Sequence, residues 1–208
     1  MKLLISLVLL LNIFVLNAQT SDYNRKGLLK ELRGYIKADN YAKVDAFIKS
    51  TISKHSEAKS DAELYNIWMN ANYNLALAEN RKIYLSTNPD TVKYMDYIYE
   101  VFADGLKCDS ISRIPDSKGR VKRKFIKNIN EKFSFFATNL ENAGKFFYTK
   151  RDYRRTCKFV EMCIMTKLWK SGTYTLECRE DSIPEPLLDV NYSRLAVLAV
   201  MSAYAIED

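Results

Sequence analysis

From Arg25 onward, apolar residues recur at threes and fours, the spacing that collects them on one face of a helix, and no stretch alternates as a strand does. Leu28, Leu32, Tyr35 and Ile36 make one stripe, Ala38-Asp39-Asn40 interrupts it, and Val44, Phe47, Ile48 and Ile52 make another. The pattern predicts a helix, a tight turn and an antiparallel partner over residues 23–55. A second pair is predicted over 62–107, with Ser60 or Asp61 as the cap of its first helix. In that helix Leu64, Ile67, Trp68, Ala71, Leu75 and Ala78 share one face, and Asn66, Asn70, Tyr73 and Asn74 share the opposite one. Pro89 ends it, and Val92, Met95, Ile98, Tyr99, Phe102 and Leu106 carry its partner. A third pair is predicted over 121–170, starting within a basic connector, and half a pair over 191–208. The expected fold class is all-α.

Composition agrees with long helices. The 208 residues include only 6 Gly and 4 Pro, too few for a turn-rich sandwich or a low-complexity linker. The 14 Tyr, 10 Phe and 2 Trp exclude a disordered polyelectrolyte despite the net charge of +7.

Residues 1–18 read as a secretory signal peptide. Lys2 supplies the positive start, the apolar run from Leu3 to Leu16 is broken only by Ser6 and Asn12, and Ala18 marks the expected cut. The run is short for a hydrocarbon layer of ~30 Å, although an uncleaved anchor is the alternative reading. The expected location is exported, in the periplasm or at the cell surface, or secreted, with no transmembrane segment after cleavage. The mature domain is expected over 19–208. Export leaves two readings for Cys108 and Cys178: a disulfide, or small buried or free thiols. Cys157 and Cys163 point to different faces of one helix and cannot pair.

The window Ala137–Lys170 is the most informative. Gly144 is followed by Phe147 three residues on, by the turn dipeptide Asp152-Tyr153, and by Thr156 and Cys163 twelve and nineteen residues on. In these positions the window resembles a tetratricopeptide repeat, with Thr156 and Cys163 at the family's small-residue places, Leu140 where tryptophan is usual and Leu168 where proline commonly closes the repeat. Tyr35 and Tyr41 repeat the logic in the first pair. The resemblance implies helix pairs stacked as a short right-handed superhelix, an alpha solenoid, with a glycine and small side chains letting paired helices approach closely. It also implies a concave binding face, to which it assigns Thr138, Glu141, Lys145, Tyr148 and Thr149. The stripe Asn66, Asn70, Tyr73 and Asn74 is expected to continue that face and offer amides to an extended peptide.

The last stretch, with Leu195, Leu198, Met201 and Tyr204, resembles the first helix of a further repeat. Three readings are open for it: a cap packed back on the preceding pair, a truncated reading frame, or a face that docks on another subunit.

Catalytic constellations are sparse. His55 is the single histidine and sits among Lys54, Ser56 and Glu57, and no phosphate loop, nucleophile elbow or zinc motif is present. No cofactor and no metal is expected. An enzyme would need a pocket with displaced carboxylates, and Asp104, Glu141 and Glu161 are the first places to look. The strongest charge feature is Lys118, Arg120, Lys122, Arg123, Lys124 and Lys127, read as an anion site. The function expected is a non-catalytic exported scaffold that binds protein or peptide. The alternative is a surface-associating protein that holds an anionic glycan or lipid on segment 118–127, with nucleic acid not expected as a partner.

Overall fold

The computed structural model describes residues 23–170 and 190–207. The predicted signal segment and Cys178 lie outside the described residues. Within them the chain forms seven α-helices, one 3-10 turn and no strand. The helices are α1 (Arg25–Lys37), α2 (Tyr41–Lys54), α3 (Ala62–Leu85), α4 (Thr91–Ser112), α5 (Ile126–Thr149), α6 (Tyr153–Lys170) and α7 (Val190–Glu207). The fold is all-α. No helix among the described residues is long and apolar enough to cross a membrane.

Local chemistry sets the breaks. Asn40 and Asp152 accept from the backbone amides of Lys43 and Arg155, capping α2 and α6, while Asp61 and Asp90 cap α3 and α4. The turns before α2 and α6 share one hydrogen-bond pattern. Ala38 N–H donates to Gly34, Asp39 to Ile36 and Asn40 to Tyr35, and 112 residues later Lys150 donates to Phe146, Arg151 to Tyr148 and Asp152 to Phe147. The middle residue takes a left-handed φ in each, 49° at Asp39 and 58° at Arg151. The turn after α3 starts likewise at Ser86 (φ 52°), then inserts Thr87, Asn88 and Pro89 before the Asp90 cap.

Two cores share α3. Leu29, Leu32, Val44, Ile48, Ala58, Leu64 and Ala71 form the smaller, between α1, α2 and one side of α3. The larger runs from Tyr65, Met69 and Ala76 through α4, α5 and α6 to Leu195 of α7. This corrects the single-stripe reading of α3. Leu64 and Ala71 are buried as expected, but Ala78 is exposed, and Tyr65, Met69 and Ala76, rotated by about 100° from the expected stripe, are buried too. A helix packed on two sides shows no single apolar face.

From α3 to α6 consecutive helices are antiparallel, and alternate ones run parallel in near-constant register. Asn66 meets Asn128 and Tyr73 meets Phe135, an offset of 62 between α3 and α5. Tyr99 meets Phe159 and Asp109 meets Trp169, an offset of 60 between α4 and α6. Two glycines permit the closest approaches. A Cβ on Gly144 would lie 3.3 Å from Val160 Cγ2 and 3.8 Å from Phe159 Cβ at the α5–α6 crossing, and Thr156 of α6 is fully buried. Gly105 of α4 is tighter, since a Cβ there would lie 2.5 Å from Phe133 Cε1 and 3.1 Å from Met69 Sδ.

Helix α5 begins at Ile126, not at residue 121. Asp116 holds the preceding segment as a turn: its carboxylate accepts from the Lys118 and Arg120 backbone amides and from the Arg120 guanidinium. Those bonds fold residues 116–120 as a turn, and Arg123, held by Asp109 of α4, lies between that turn and the helix.

Candidate functional site

Helix α5 projects three different faces. Ile129, Phe133, Phe136, Leu140, Ala143 and Phe147 are buried in the core. Asn128, Lys132 and Phe135 turn toward α3, and Thr138, Glu141, Lys145, Tyr148 and Thr149 lie on the remaining flank, where Thr138, Lys145 and Thr149 are exposed.

That flank reaches α7 only at its last turn, through Tyr148. The Tyr148 hydroxyl points at the Met201 sulfur at 4.0 Å, and its ring meets Tyr153 edge-on at 5.9 Å. Helix α7 packs one side on α6, through Leu195, Ser202 and the Ala199 carbonyl that faces the Cys157 thiol at 3.7 Å. Its other side carries Val197, Val200, Met201 and Tyr204, exposed by 56, 59, 52 and 72%. Their spacing of three and four makes one continuous apolar stripe. The polar flank of α5 and the apolar stripe of α7 therefore adjoin at Tyr148 and Met201. Sequence reasoning named the α5 half of this surface and left Val197 and Val200 unmentioned, because a helix apolar on both sides gives no sign of which side is covered.

The asparagine stripe of α3 is placed differently. Asn66, Asn70, Tyr73 and Asn74 are half-buried along the opposite flank of α5. Asn128 Nδ2 donates to the side-chain oxygens of Asn66 (2.8 Å) and Asn70 (3.3 Å), and the Asn70 and Asn74 amides donate to the Asn66 and Asn70 carbonyls. Lys132 Nζ stands 4.4 Å from the Tyr73 ring centroid. These amides join α3 to α5, and the α3 and α5 sets expected to form one groove lie on two different flanks.

The basic segment is partly neutralised by its own neighbours. Arg123 donates through Nε and Nη2 to the Asp109 carboxylate at 2.8 and 2.9 Å, so it is held against α4. Arg120 and Lys122 pair with Asp116 at 3.0 and 3.6 Å. Lys118, Lys124 and Lys127 are exposed and make no ion pair among the described residues, with Lys124 Nζ 5.1 Å from the Phe125 ring centroid.

The three carboxylates singled out for catalysis are separated. Asp104 is buried and accepts from Asn72 Nδ2 at 2.9 Å; burial pushes its carboxyl well above the usual value, against the pull of that hydrogen bond. Burial likewise raises neighbouring Glu100, with Lys158 and Lys49 opposing it. Glu141 lines a small cavity of about 100 Å³ between α5 and α6, beside Phe133 and Cys163. Glu161 rims a different groove, between α4 and α6. Burial pushes the thiols of Cys108 and Cys163 up to about 12, so both stay protonated at neutral pH. Cys108 Sγ donates to the Ala62 carbonyl at 3.2 Å. Among the described residues no three His, Cys, Asp or Glu side chains are grouped to hold a metal ion.

No protein-family model, no curated protein and no solved structure matches this chain.

Proposed function

We propose that the protein is a non-catalytic, exported helical-repeat scaffold that binds a protein or peptide across the face where α5 and α7 adjoin. The carrying observation is the apolar stripe Val197, Val200, Met201 and Tyr204, more than half exposed along its length and bordered by the polar flank that ends at Tyr148. An exposed apolar patch with a polar rim is the usual form of a protein contact surface. The tetratricopeptide-like, right-handed stacking is part of the same proposal. It draws support from the near-constant registers of 62 and 60 and from the turn repeated before α2 and α6.

The experiment is affinity capture from the exported fraction with the mature chain and with Val200→Glu, whose side chain is exposed. A specific partner is expected to be lost by more than tenfold with Val200→Glu while the thermal unfolding midpoint stays within about 2 °C. Retention of the same partners by the variant rejects the α7 face.

Anion binding by segment 118–127 is the second reading, and it rests on Lys118, Lys124 and Lys127, which lack ion pairs among the described residues. Salt separates the two. Binding that collapses between low and moderate ionic strength belongs to the lysines, and binding that persists belongs to the apolar face.

A further inference from the structure

We propose that the groove between α4 and α6 binds a single-chain amphipathic anion, an alkyl chain that ends in a carboxylate or phosphate head. The groove has a volume of about 310 Å³, at the lower bound of small-molecule sites. It exists because α4 and α6 run parallel without an intervening helix and because Ala103 offers so little side chain at its centre.

Its floor is apolar and adaptable. Ala103, Leu106, Met162 and Met165 line it, and the unbranched methionines can re-form around a chain. Tyr99 closes one end, with Lys158 Nζ 3.8 Å from its ring centroid. Lys107 and Ser110 stand at the other, both exposed, and Lys107 makes no ion pair or hydrogen bond among the described residues.

The charges orient the guest. Glu161 and Glu100 lie on the half near Lys158. The register of 60 sets Glu161 opposite Val101, six residues or about 9 Å along α4 from Lys107. An anionic head therefore goes to Lys107 and Ser110, away from both carboxylates, and the tail runs back over Leu106 and Ala103 toward Tyr99. From Lys107 to Tyr99 that path is about 12 Å, the reach of roughly nine or ten methylene groups.

The test is a titration of the chain, labelled with ¹³C at the methionine methyls, with decanoate, decyl phosphate and decanol below their aggregation limits. Expected are saturable shifts at Met162 and Met165 with Met69 and Met95 unmoved, and at least tenfold tighter binding of either anion than of decanol. Lys107→Glu is expected to weaken both anions at least tenfold and leave decanol unchanged, and Ala103→Phe to remove all three. The tighter of the two anions identifies the head group. Absence of shifts at Met162 and Met165, equal affinity for decanol, or unaltered anion binding by Lys107→Glu overturns the proposal. Because Lys107 is exposed, that variant decides even if Ala103→Phe does not fold.

Discussion

The indole N–H of Trp169, in the last turn of α6, donates to the Asp109 carboxylate of α4 at 2.8 Å. Asp109 also accepts from Arg113 and, through two nitrogens, from Arg123. One buried carboxylate thus joins two helices and the basic segment.

Removing that carboxylate strands a buried indole N–H and separates two guanidinium groups from their counter-ion. Asp109→Ala is expected to destabilise the fold by about 3–5 kcal/mol, and Trp169→Phe, which loses one hydrogen bond to a charge, by about 1.5–3 kcal/mol. Urea unfolding followed by circular dichroism checks the order, and equal effects would contradict the hub.

Two buried aspartates should titrate with opposite signs. Burial pushes Asp109 up, but the donors from Arg123, Trp169 and Arg113 outweigh it and hold the carboxyl below its ordinary value of 3.8, so its contribution is present above that pH and is lost as pH falls further. Asp104 is raised, so its unfolded form releases the proton first and stability declines as pH rises from about 4 toward the folded value. Glu100 adds to the decline, while Lys49 and Lys158 oppose the shifts. Asp104→Asn is expected to flatten the decline that sets in above about pH 4 and to raise stability at neutral pH. Denaturation curves over a pH series measure it, and an unchanged slope would count against it.

Gly105 and Gly34 should respond oppositely to alanine. At Gly105 a methyl would collide with the Phe133 ring, and Gly105→Ala is expected to cost about 1–3 kcal/mol. Gly34, in α1, has nothing within 4 Å of a Cβ, and Gly34→Ala should stabilise by about 0.5–1 kcal/mol through helix propensity. Thermal midpoints of the two variants should move apart.

The turn between α5 and α6 separates backbone strain from capping. Arg151, at φ 58°, is where glycine costs least, so Arg151→Gly is expected to stabilise by about 1 kcal/mol. Asp152→Ala removes the acceptor for the Arg155 amide and is expected to cost about 1 kcal/mol. Chemical denaturation of both variants tests the pair.

The all-α class, the turns at Asp39 and Asp152 and the burial of Gly144, Thr156 and Cys163 were legible in the order of residues. The class and the turns depend on neighbours within one or two turns of chain, where spacing of threes and fours and the side chain at a cap are decisive, whereas the three small residues were named only through the resemblance to a repeat. The start of α5 at Ile126 was not legible, because Arg123, just ahead of it, is held by Asp109 of α4. Tertiary structure decided the rest. That α3 is packed on two sides, that Arg123 closes on Asp109, that the asparagines of α3 meet Asn128, and that α7 leaves Val197 and Val200 uncovered all depend on contacts between residues distant along the chain. A helical pattern states which faces are apolar. Only the arrival of other helices determines which of those faces lose water, and which stay open to a partner.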